Sequence, residues 1–218
     1  TDTPPASLNG VSFSLTATDG RDLTPERSLN SMLAQVSGLV DGGHDPFVSI
    51  QFHSNLTVKV VRELCVLLAL ADTEKGMRIE PPQPGHLYYK EFLPDPLYLD
   101  RVNRIAQPWE LILVTNQGNR VSGSLTKIEQ VWKDDQVRPD LRAAQFVVED
   151  VAGFRKTLDS NGPGIPMLLV FVQPAITYGQ LMAYLSPVRS TYKDIFVFVE
   201  DRPVPFTSAA ATPNQGKE

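Results

Sequence analysis

The chain is poor in the residues that most often carry chemistry: among 218 residues there are one cysteine and three histidines. A lone Cys65 excludes an intrachain disulfide. In the run ELCVLLALA it reads as a small buried hydrophobe, because a thiol in apolar surroundings stays protonated. Scarce cysteine is compatible with the cytoplasm and equally with a bacterial periplasm. Basic residues are also few. The 20 Lys and Arg stand against 25 Asp and Glu, for a net charge of −5. No basic stretch can track a phosphate backbone, which argues against a nucleic-acid partner. Long apolar runs are missing: the longest lie around residues 66–71 and 167–172, far below the ~20 residues of a membrane helix. No signal peptide is expected within this sequence. The opening TDTPPASLNG has no initiator methionine, so a trimmed or processed chain with a membrane tether upstream is the expectation.

Motifs for catalysis or ligand capture are equally sparse. His44, His53 and His86 have no metal-ligand spacing to one another, to Cys65 or to a carboxylate. His53 is expected to be solvated, at the end of a strand. Asp41 and Asp45 flank two glycines but lack the ligand count of a calcium loop, so this stretch reads as a helix-ending turn. The glycine-rich SNGPGIP, residues 160–166, has two prolines where a phosphate would need backbone donors, and reads as a loop. There is no G-x-S-x-G elbow to anchor a hydrolase. The acidic pairs Asp134 with Asp135 and Glu149 with Asp150 are sequence neighbours on solvated faces. Asn55 begins a glycosylation-type triplet, NLT, without a secretory context. No catalytic, metal or cofactor residue is assigned, no cofactor is expected, and the chain is expected not to be an enzyme.

What the chain does contain is an internal pattern that repeats. Thr57 and Thr177 can be aligned, 120 positions apart. Apolar residues then fall at Val61, Leu64, Cys65 and Leu68, and again at Leu181, Tyr184, Leu185 and Val188. Both sets follow the i, i+3, i+4, i+7 spacing of one helix face. Each helix has a threonine at its N-cap, and Gln180 completes a capping box with Thr177. Pro187 should end or kink the second helix early.

A strand is expected before each helix. In FVSIQF the alternation puts Val48, Ile50 and Phe52 on one face, whereas PMLLVFV is apolar throughout and suits a strand covered on both sides. MRI and IFVFV supply a strand after each helix. Upstream, Leu29, Leu33, Val36 and Val40 predict a helix capped by Thr24 with Pro25 in its first turn. Val147, Val151, Phe154 and Leu158 predict its counterpart. Further upstream, VSFSLTATDG and LILVTNQGNRVSG read as strands ending in turns at Gly20 and Gly118. Residues 121–141 are extra in the second copy.

The expected fold is thus α+β: two tandem strand-helix-strand-helix-strand repeats, helices packed on one face of each sheet, in a pseudo-dimeric arrangement. The repeats span 8–80 and 109–202. A proline-rich connector, 81–108, joins them, and 203–218 form a loose tail. The connector carries Leu87, Tyr88, Tyr89, Phe92, Leu97 and Tyr98, more apolar surface than a flexible linker bears, so it should pack between the repeats. Asp95 and Pro96 suit the start of a short helix running to Arg104. The aromatic cluster Tyr88, Tyr89, Phe92 and Tyr98 fits either the filling of that seam or a ligand groove.

The unit resembles the periplasmic domain of the ExbD/TolR biopolymer-transport family. The resemblance lies in ITYGQLMAYLSPVRSTYKDIFVFVED, in the turn Ile176-Thr177-Tyr178-Gly179, and in VTNQGNRVSG as the first hairpin. It covers about two-thirds of the chain, once per repeat. The family's frequent aspartate before the helix is replaced by His53-Ser54 and Gln173-Pro174, and its membrane helix is absent. The resemblance implies a periplasmic, non-catalytic interaction module. Its partners would be inner-membrane motor or envelope proteins, with peptidoglycan as a further candidate. A ligand- or cell-wall-binding site at the seam is the alternative expectation.

Overall fold

The helix that follows Thr57 has its apolar stripe turned inward. A computed structural model describes residues 4–5, 7–14, 16–17, 19–23, 28–44, 46–74, 78–80, 86–95, 108–116, 119–133, 136–161 and 167–200, within which the fold is mixed α+β. Helix α2, Val58–Glu74, buries Val61, Leu64, Cys65 and Leu68. The Thr57 hydroxyl accepts from the Val60 N–H at 3.4 Å, satisfying one of the donors a helix start leaves open. The later helix, Tyr178–Leu185, has the full capping box. The Thr177 hydroxyl accepts from Gln180 N–H at 3.2 Å, and the Gln180 side chain accepts from Thr177 N–H at 2.9 Å. Pro187 stops it as expected: the chain tightens into a 3₁₀ turn, Ser186–Val188, from which Val188 is still buried.

The strands form two sheets. Strands β1 (Phe47–Val48) and β2 (Arg78–Ile79) pair in parallel. Strands β3 (Trp109–Thr115), β4 (Val121–Lys133), β5 (Gln136–Val148), β6 (Met167–Val172) and β7 (Asp194–Val199) form one mixed sheet in the order β5-β4-β3-β6-β7. The helix preceding β1 is α1, Leu29–Asp41; α3, Val151–Asn161, precedes β6, and α4 is Tyr178–Leu185. Trp109, Leu111, Leu113, Leu168, Val170 and Val197 share a continuous core with α2, α3 and α4. Met167 and Leu169 are buried on the opposite face beside Phe171, Phe196 and Phe198. β6 is therefore covered on both faces, as its uninterrupted apolar sequence predicts.

Several elements depart from the sequence reading. The sheets are unequal, with two and five strands. Among the described residues of 11–20, namely 11–14, 16–17 and 19–20, no ladder strand forms. Thr16 and Asp22 form an isolated antiparallel bridge, closed around Gly20 at φ +86°. The alternation of 47–52 survives in burial, but ladder pairing stops at Val48. α1 is capped by Ser28, which accepts from Ser31 N–H at 3.1 Å; Thr24 and Pro25 lie outside the described residues. Val147 belongs to β5 and is 79% exposed, because α3 begins only after Asp150, whose carboxylate accepts from Gly153 N–H at 2.7 Å.

Residues 121–141 are not a loose addition. They build β4 and much of β5, a long antiparallel hairpin with a register shift between Lys127 and Glu129. Asp134 and Asp135, Gly118, Tyr98, the expected helix from Pro96 to Arg104, residues 162–166 of the expected glycine-rich loop and the expected tail 203–218 lie outside the described residues.

Candidate functional site

The N-terminal ends of α2 and α4 meet head to head. A helix start leaves its first N–H groups without intrahelical partners. Here each helix satisfies them on carbonyls of the segment leading into the other. Val58 N–H donates to Ile176 O at 2.8 Å, and Tyr178 N–H donates to Leu56 O at 2.7 Å. Lys59 N–H reaches Pro174 O at 3.3 Å, and Gly179 N–H reaches Ser54 O at 2.8 Å. Each bond has its counterpart 120 positions away, and Thr57 bridges Thr177 at the centre. The approach is close: a Cβ at Gly179 would sit 2.9 Å from Ser54 Cβ and 3.0 Å from its carbonyl oxygen.

An aromatic cluster closes over this junction. Phe52, Phe92 and Tyr178 come from the segment before α2, the connector and α4. Phe52 lies 5.4 Å from Tyr178 and 6.3 Å from Phe92 between ring centroids, both edge to face. The connector takes a 3₁₀ turn at Tyr89–Phe92 and buries both of those residues. It is tied on both sides. Tyr89 OH donates to Asp72 Oδ2 at 2.6 Å, Lys90 Nζ lies 3.3 Å from the same oxygen, and Tyr88 OH donates to Ile79 O at 3.1 Å. Toward α4, Glu91 forms an ion pair with Arg189 and accepts from Tyr88 N–H at 2.5 Å.

These contacts set the local protonation. The Tyr89 hydroxyl, helped by Lys90, holds Asp72 below the ordinary carboxylate range despite some desolvation. Glu91 moves the other way: burial raises it more than the Tyr88 N–H and Arg189 lower it. Burial pushes the Cys65 thiol far up, which keeps it protonated and unreactive.

The other polar residues singled out from the sequence are scattered. His44 and His53 are exposed, and His53 Nδ1 lies 2.6 Å from Asn55 Oδ1. His86 lines a cavity of about 400 Å³ at the junction, with Phe52, Ser54, Tyr178, Gly179 and Met182. Among the described residues no three His, Cys, Asp or Glu side chains converge on a metal position. A second, larger cavity of about 890 Å³ opens between residues 11–14, residues 48–52, α1 and α2. The sequence reading missed Asp72, Glu91 and Arg189. Glu91 could have been found as the third residue after Tyr88 in a cap-like pattern; Arg189 carries no such signal. No family model, curated protein or solved structure matches the chain.

Proposed function

We propose that this chain is a non-catalytic interaction module of the cell envelope, similar to the periplasmic part of ExbD/TolR proton-driven motors, with two tandem units standing in for a family dimer. The observation that carries the reading is the reciprocal bonding at Thr57 and Thr177. Four hydrogen bonds exchange partners when positions 120 apart are swapped, as at an isologous two-fold contact. A partner protein of the inner-membrane motor or the envelope would be engaged through a strand edge or a groove, with peptidoglycan as a further candidate. Among the described residues β5 and β7 pair on one side only.

A second reading is favoured by one feature, the junction cavity with Ser54 and His86 in its wall. A soluble cell-wall fragment held there would make the chain a ligand-binding domain. Binding measured by calorimetry and lost in Met182→Trp, which fills the cavity, would support it.

The test of the first reading uses the complete gene product in its native cell. A photoreactive residue replacing the exposed Asp194 should yield adducts with an envelope or membrane-motor protein or with peptidoglycan. Recovery of the protein wholly in the cytoplasmic fraction would contradict it.

A further inference from the structure

The cavity of about 890 Å³ lies between two strand-like segments that do not pair. Residues 48–52 form one wall. Their burial alternates, with Val48, Ile50 and Phe52 half-buried and Ser49 and Gln51 exposed, although no ladder partner exists beyond Val48 among the described residues. Residues 11–14 form the facing wall and alternate too: Val11 and Phe13 are half-buried, Ser12 and Ser14 exposed. Leu64 and Leu68 of α2 and Val36 of α1 lie beneath.

The backbone direction of the first wall follows from its one ladder. Glu80 N–H donates to Val48 O at 3.0 Å, so Val48 turns its peptide groups toward β2. Successive residues of an extended chain point theirs to opposite sides. Ser49 and Gln51 therefore aim donors and acceptors away from β2, at the cavity. The corresponding place near β6 is filled. Gln173 N–H donates to Leu113 O at 3.1 Å, and β3 pairs with β6 from Trp109↔Leu168 to Leu113↔Val172.

We propose that this cavity is a strand-binding groove whose occupant is an extended peptide segment of a partner protein, with bulky apolar side chains at alternate positions. Backbone groups of the peptide pair with Ser49 and Gln51, and its apolar face completes the layer formed by Val11, Phe13, Ile50 and Phe52. Five extended residues span about 17 Å, a short strand in an ordinary sheet. Strand addition of this kind draws affinity from main-chain hydrogen bonds and selectivity from alternate side chains. The inference rests on the reading of the chain as an interaction module and names its partner's chemistry.

The probe is a synthetic eight-residue peptide alternating isoleucine with threonine, followed by amide hydrogen exchange and fluorescence anisotropy. The peptide should slow exchange at Ser49 and Gln51 by about tenfold or more. Gln51→Pro deletes one groove-facing donor and should weaken binding about tenfold, whereas Gln51→Ala, which keeps it, should bind like the parent. Circular dichroism checks that Gln51→Pro is folded, and the exchange result on the unmutated chain stands without it. Absence of peptide binding, or equal binding by folded Gln51→Pro, overturns the proposal. So does slow exchange at Ser49 and Gln51 in the free chain: if independent of concentration, the two walls pair with each other; if it grows with concentration, a second copy fills the groove. A cytoplasmic protein that binds the peptide would remove the envelope reading and leave the groove standing, and the reverse pair of results would do the opposite.

Discussion

Thr57 and Thr177 are partners in an isolated antiparallel bridge, and each is also the cap of the helix that starts one residue later. One residue type thus does the same two jobs at both helix starts. Closing the helix satisfies part of its own N-terminus, and bridging the other threonine brings in carbonyls for the rest.

The closeness of that junction has a measurable consequence. Gly179→Ala places a methyl group 2.9 Å from Ser54 Cβ, with backbone behind it. Destabilisation of about 1–3 kcal/mol is expected. Lys59→Ala, at the aligned but exposed position, should stay within about 0.5 kcal/mol of the parent. Paired thermal melts decide this, and equal effects would mean that the junction is open.

The buried helix faces make a second comparison. Leu64→Ala and Leu185→Ala should each cost about 2–5 kcal/mol, because both side chains are buried and a cavity remains. His53→Ala, at an exposed position, should change stability little. Small, equal changes at all three positions in denaturant unfolding would contradict the placement of the core.

Helices whose spacing and caps agree were the most legible part of the chain. Val61, Leu64, Cys65 and Leu68 identify α2, and Thr177 with Gln180 fixes the start of α4, because periodicity and capping act within a few residues. Long-range pairing left weaker traces. Val147 continues the four-residue spacing of Val151 across a strand-to-helix junction, so helical periodicity claims it wrongly, while Asp150 as cap marks the true start. The β4–β5 hairpin is rich in charged residues and lacks a clean alternation. Its strands are defined by their partner strands rather than by their own pattern. Residues 47–52 show the converse, a clear alternation with ladder pairing, among the described residues, only at Phe47 and Val48. At the junction, Tyr89 and Phe92 were legible as apolar surface needing cover. Arg189 was not, since nothing local distinguishes it from a solvated cation before Glu91 is brought beside it.

The Glu91–Arg189 pair gives a pH-dependent prediction. Glu91 is raised in the folded protein, chiefly by burial. For a raised carboxylate the favourable contribution is complete at low pH and lost as pH rises through the folded pKa. Arg189→Ala removes the compensating cation, leaving a largely buried carboxylate unpaired at a cost of about 1–3 kcal/mol. That deficit should be larger at neutral pH than in acid, read from denaturant midpoints; a deficit that shrinks toward neutrality would reverse the assignment.

Asp72 has the opposite sign. Its carboxyl is lowered, first by the Tyr89 hydroxyl, so its stabilising contribution is present above the ordinary value of 3.8 and is lost as pH falls through the folded pKa. Tyr89→Phe should move the Asp72 titration upward in an NMR pH series. An unchanged Asp72 titration would show that the bond is not maintained in solution.

The claim beneath the functional reading is that the segments around Thr57 and Thr177 form one cooperative body. Native-state hydrogen exchange of the Val58 and Tyr178 amides tests it most directly, since each donates across the junction, to Ile176 and Leu56 respectively. Both should be protected to the same degree, and as strongly as the core amides of α2 and α4, opening only with global unfolding. Rapid exchange at both positions while α2 and α4 stay protected would contradict that claim, because the two helix starts would then be parting without either helix unfolding.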